Sequence, residues 1–233
     1  MVKLKNTHVL LILVLSLISF VSFTSCSKDG DSETDEDYLD PEITKIISND
    51  LLLDLEKRGM KINRGNNPPM LNKIFLVTPM KLTSRFGEND PYEMGRVVSD
   101  YLFNVYDQQG NKAKMDFKSS GADRAKGLAT FLSGTDNKFT LYAELSGTSS
   151  GVDYKTVSVV TGEISNDGIV DFQYGFVLTD KFGDDGDNIM MPKNTSRIFK
   201  DDDHISPFQP QFEFKSMNYN KVNLLDVGQI GLR

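Results

Sequence analysis

The sequence predicts an all-β fold: a single antiparallel meander, closed as a barrel or folded as a sandwich, preceded by one amphipathic α-helix. Three observations carry this. From Ile74 onward apolar residues recur with period two, most clearly as Val170, Phe172, Tyr174, Phe176 and Leu178 against Asp171, Gln173, Gly175 and Thr179. Such alternation marks strands with one buried face. Turn-forming clusters separate the runs at short intervals, and a helical period of comparable strength occurs once, over residues 41–58.

The chain opens with an address. Lys3 and Lys5 give a basic start, Val9 to Val21 is almost purely apolar, and no acidic residue precedes Asp29. This is the pattern of a secretory signal peptide, and the apolar run is short for a bilayer span. The run ends in Phe23-Thr24-Ser25-Cys26, small residues leading into the only cysteine of the chain. That arrangement resembles a bacterial lipobox, although Phe23 stands where an aliphatic residue is usual. The resemblance implies cleavage after residue 25, acylation of Cys26 with palmitate-type chains and a lipid anchor in the outer membrane. Several acyl chains hold a protein stably where one holds it marginally. Loss of Lys3 and Lys5 with the leader takes the formal net charge from −7 to −9. The anchor must therefore be lipid rather than electrostatic.

Residues 26–40 follow as an acidic, apolar-poor tether with Asp29, Asp31, Glu33, Asp35, Glu36 and Asp37. Such a segment cannot bury a core, and a flexible coil of this length reaches on the order of 20 Å. A lysine and then acidic residues just after the lipidated cysteine also resemble a surface-export signal of Bacteroidetes lipoproteins.

Residues 41–233 form one domain. Asp40-Pro41 offers an N-cap with proline at the first helical position. Ile43, Ile46, Ile47, Leu51 and Leu55 recur at helical spacing, and Gly59 after Lys57-Arg58 is a stop signal. A helix is thus expected over 41–58, covering a barrel mouth or sheet. Asn67-Pro68-Pro69 is an extended, donor-poor connector. Strands are expected at 74–84, 96–106, 112–119, 126–133, 138–146, 154–164, 168–179, 195–200 and 211–216. The connections are short, and Asn166-Asp167-Gly168 contains the Asp-Gly hairpin cue. Closure removes exposed edges, which favours a barrel of lipocalin-like type.

A helix followed by Gly59-Met60-Lys61-Ile62 and Gly65-Asn66-Asn67-Pro68-Pro69, then a strand ending in Thr78-Pro79, resembles an uncharacterised family of Bacteroidetes cell-envelope lipoproteins. Thr130-Phe131-Leu132-Ser133-Gly134, Gly162-Glu163-Ile164 and Gln173-Tyr174-Gly175 carry the same likeness. The resemblance implies an envelope location and a β-rich body, and no reaction or ligand.

Composition excludes several functions. The acidic balance argues against nucleic acid, which needs a basic footprint. One cysteine and two histidines among 233 residues leave no disulfide framework and little for zinc. No Gly-x-Ser-x-Gly elbow occurs, and Gly121 to Gly127 lacks the Gly-Lys-Ser/Thr of a phosphate loop. Three features remain. Tyr101, Phe103, Phe139, Phe172, Tyr174 and Phe176 line an apolar ligand cavity if the barrel is hollow, although small barrels are commonly filled. Asp180, Asp184, Asp185 and Asp187 crowd a glycine-containing loop whose oxygens suit calcium, though not in EF-hand spacing. Asp201-Asp202-Asp203-His204 sets the only mature histidine beside carboxylates. The expectation is a non-enzymatic, surface-exposed outer-membrane lipoprotein that binds or interacts through loops or a barrel mouth, with a small apolar or glycan ligand. The alternatives are a carboxylate-based hydrolase acting on glycans and a calcium-stabilised adhesion module.

Overall fold

The structure, a computed structural model, describes residues 39–216 and 221–227. The expected signal peptide, Cys26 and the expected tether up to Tyr38 lie outside the described residues.

Two short helices replace the expected single one: α1 (Pro41–Ile46) and α2 (Asn49–Lys57). Asp40 caps α1 by accepting from the Glu42 amide, with Pro41 in the first turn. Ile47 is extended, and the Ser48 hydroxyl caps α2 by accepting from the Leu51 amide. The reason for the break is the surface beneath. Ile43, Ile47, Leu52 and Leu55 all bury against the curved outer face of a sheet, beside Tyr142, Val159 and Ile198. The extended Ile47 lets all four reach it.

Ten strands follow: β1 (Lys73–Val77), β2 (Met80–Ser84), β3 (Tyr101–Gln109), β4 (Lys112–Ser119), β5 (Arg124–Thr135), β6 (Lys138–Ser149), β7 (Val152–Ile164), β8 (Gly168–Phe182), β9 (Ser196–Asp201) and β10 (Ile205–Gln209). All pair antiparallel in one sheet. β3 to β8 form a meander in chain order, β1 joins β3, and β10 pairs with both β1 and β8, so eight strands close a ring. β9 and β2 extend the sheet beyond β8. The fold is thus the expected all-β antiparallel barrel, with three corrections besides the helix. The 74–84 run is two strands parted at Thr78-Pro79, where proline has no amide to donate. Residues 96–100 precede β3 rather than belong to it. The last strand is 205–209, not 211–216. Pro207 demotes 205–209 by rule, yet it stands opposite Gly168, at the very end of β8, where the ladder stops.

The branch in the sheet is centred on Asp171. β8 pairs with β10 through Gly168–Val170 and with β9 through Gln173–Val177. Asp171 sits at the fork with φ 52°, and its amide donates to the carbonyl of His204, which has φ 70°. The ring interior holds the main core, and the outer face under the helices holds a second, smaller one.

The connector between α2 and β1 is a strap laid across the outside of four strands. On β8, Gln173 accepts from the Lys61 amide and donates to the Gly59 carbonyl. The Asn63 side chain donates to Thr161 of β7 and to the Phe139 carbonyl of β6. Ser133 of β5 donates to the Asn63 carbonyl, and Gly65 and Asn67 bond the backbone of Gly134. The segment from Gly59 to Asn67 thus meets Gln173, Thr161, Ser133 and Gly134 in space, for architectural reasons.

Candidate functional site

The fork between β8, β9 and β10 gathers the most chemistry on the surface. Asp171 Oδ2 lies 3.2 Å from Lys61 Nζ, and Asp171 Oδ1 lies 3.4 Å from His204 Nδ1. Asp201 ends β9 beside them. A depression of about 190 Å³ is lined by Lys61, Asp171, Gln173, Lys200, Asp201 and His204, with Phe172 at its floor. A second of about 270 Å³ shares Lys61 and Asp171 and adds Lys138 and Glu163.

The two carboxyls are tuned in opposite directions. The Lys61 ammonium hydrogen-bonded to Asp171 holds its carboxyl below the usual range, and His204 adds to this. Burial pushes the Asp201 carboxyl up, and Asp203 pushes the same way against the Ser206 hydroxyl that donates to Oδ2 at 2.6 Å. Asp201 Oδ1, buried, has no hydrogen-bond partner among the described residues. One raised and one lowered carboxyl around one depression is the division of labour of an acid and a base. Left-handed φ at non-glycine residues stores backbone strain. Against catalysis stands openness: the side chains of His204 and Asp171 are 70% and 50% exposed, so water screens them.

The opposite character marks the ring end capped by the segment 221–227. Asp123 is sealed there, accepting from Tyr101 Oη at 2.8 Å and Tyr154 Oη at 2.7 Å. Burial pushes its carboxyl up to about 7 despite those two donors. Tyr101 Oη in turn accepts from the Leu224 amide. Asn223 and Asp226 extend this network to Ser99, Ser119 and Ser150.

The six aromatic residues expected around a cavity are all buried. Five of them, with Phe75, Phe117 and Phe199, form a chain of ring contacts between 5.2 and 6.4 Å. They fill the interior with one another. The four aspartates of the 180–188 loop do not converge. Asp184 Oδ2 and Asp187 Oδ1 lie 2.9 and 2.5 Å from Lys181 Nζ, so an ammonium stands between them. Asp184 also accepts from the amides of Asn188, Ile189 and Met190. Asp180 faces Lys193, and Asp185 is exposed. Among the described residues no group of three or more His, Cys, Asp or Glu is placed to hold a metal ion. Asp201, Asp203 and His204 do share one corner, as their adjacency implied. Asp171 and Lys61 joined them unforeseen: Asp171 reads as an ordinary polar-face position of an alternating strand and Lys61 as part of a connector, so the residues gave no signal of the fork.

Comparison with known families, curated proteins and solved structures finds no match. Function therefore rests on the residues alone.

Proposed function

We propose that this protein is a lipid-anchored lipoprotein of the outer membrane, displayed at the cell surface, which acts as a non-enzymatic binding module through the outside of its β ring. The leader, Cys26 and the acidic tether support the anchorage. The observation that carries the binding mode is the aromatic filling of the interior: rings in contact leave no room for a ligand among them, so a partner is met on the outer face or the rims. Metabolic labelling with palmitate and protease treatment of intact cells test the anchor and its display. Labelling that disappears in Cys26→Ser, with the domain cleaved on intact cells, is the expected result. An unlabelled, cytosolic product would overturn it.

A glycan hydrolase is the second reading, favoured by the oppositely tuned Asp171 and Asp201. It requires glycan turnover by the purified chain that Asp201→Asn and Asp171→Asn each abolish with the fold intact.

A further inference from the structure

The outward face of β4 and β5 is basic on a chain that is acidic overall. Lys118 stands directly opposite Arg124 in the antiparallel ladder, and Lys126 stands opposite Asp116. Like charges placed opposite each other destabilise a sheet, so this pair costs stability that the fold does not need to lose. Nor is it neutralised: among the described residues Lys118, Arg124 and Lys126 enter no ion pair, and Asp116 is engaged by the Tyr106 hydroxyl and the Gly127 amide. Above them the segment after β10 brings Phe212 across the strands, with Lys118 Nζ 4.7 Å from the ring centroid. Together these residues, with the Ser146 and Thr148 hydroxyl-bearing positions of β6, line an open groove of about 310 Å³.

We infer that this groove binds an anionic polysaccharide, its carboxylate or sulfate groups held by Lys118, Arg124 and Lys126 and a sugar ring laid against Phe212. The inference deepens the binding-module reading and rests on it. Three features favour this ligand. The groove is open at the surface of a sheet, so it suits an extended chain rather than an enclosed small molecule. Its cations are few: Arg124 and Lys126 stand two residues apart along β5, roughly 7 Å, with Lys118 across from Arg124 on β4, which matches sparse charges on a sugar chain. Nucleic acid charges every nucleotide and needs a longer basic track than a protein of net charge −7 supplies. A membrane surface is flat and meets protruding residues, whereas Phe212 is partly buried within a concavity.

Calorimetry on the mature chain from position 26, carrying Cys26→Ser, tests this with heparin and polygalacturonate as anionic saccharides. Dextran, single-stranded DNA and phosphatidylglycerol vesicles serve as the other probes. The expected result is binding to at least one anionic saccharide that weakens with added salt and is absent for dextran. Lys118→Ala, Arg124→Ala and Lys126→Ala combined should weaken it tenfold or more without lowering the melting temperature, since the like-charge pair is gone, and Phe212→Ala should weaken it severalfold. Lys193→Ala, which removes a cation elsewhere, should bind as the parent does. Absence of saccharide binding, equal binding by the triple variant, or binding of DNA or vesicles in its place overturns the assignment. Such a failure leaves the palmitate and protease results standing, so the two proposals fail separately.

Discussion

Arg197 and Asp90, both sealed from solvent, meet through two parallel hydrogen bonds of 2.9 and 2.6 Å. The guanidinium also donates to the carbonyls of Leu224 and Asp226 and lies 4.0 Å from the centroid of the Tyr92 ring. One side chain thus joins β9, the loop before Val98 and the segment that caps the ring. Burial pushes the Asp90 carboxyl up, but Arg197 and the amides of Tyr92 and Phe86 outweigh it and hold it below the ordinary range. Its contribution is therefore present above the ordinary carboxylate range and lost as pH falls through the lowered value.

Removing one partner leaves the other charge buried and unpaired. Arg197→Met or Asp90→Leu should each cost about 3–5 kcal/mol. The double variant should cost less than the two together, as read from urea unfolding of all three.

Met60 and Gly175 meet where the strap crosses β8. A β-carbon on Gly175 would stand 2.7 Å from the Met60 sulfur and 3.4 Å from a Leu55 methyl. Gly175→Ala should destabilise by about 1–3 kcal/mol through overpacking. The same substitution in a Met60→Ala background should cost less, since the nearest obstacle is gone. Equal cost in both backgrounds would show that the strap does not press on β8.

Asp123 makes stability depend on pH in an unusual direction for a carboxyl. Its folded value of about 7 lies above that of the unfolded chain, so between these values the folded state keeps a proton that the unfolded state releases. Stability should fall as pH rises through this interval, by up to roughly 4 kcal/mol from this group. Asp123→Asn, which keeps the shape, should flatten the change in urea midpoint between pH 4.5 and 7.5. Part of the slope will remain, because the raised Asp201 acts with the same sign.

The 180–188 loop is built around Lys181. Asp184 holds that ammonium and three backbone amides, so Asp184→Ala should cost about 3 kcal/mol by removing one of the two carboxylates on a buried cation and leaving those amides without their acceptor. Because the ammonium already stands between Asp184 and Asp187, millimolar calcium should leave the melting temperature of the parent unchanged. A calcium-dependent rise that Asp184→Asn diminishes would restore the adhesion-module reading.

The period-two runs from Phe139 to Leu145 and from Val170 to Leu178 announced β6 and β8 because burying one face of a strand writes itself into neighbouring residues. The same local logic identified the helical stripe at Ile43, Ile47 and Leu55. Where a partner distant in the chain decides, the residues alone were silent. The break at Ser48 depends on the curvature of the sheet beneath it, and the choice of 205–209 over 211–216 depends on which segment finds β1 and β8 open. The fork at Asp171 exists because β9 and β10 both claim β8. Asp123 carries no local sign of burial; Tyr101 and Tyr154, 22 and 31 residues away, make its place tolerable. Local chemistry thus determined most of the strands and the turns between them. Ring closure, the filled interior and the company each charged group keeps were decided only when distant strands met, since pairing and desolvation are properties of the packed molecule.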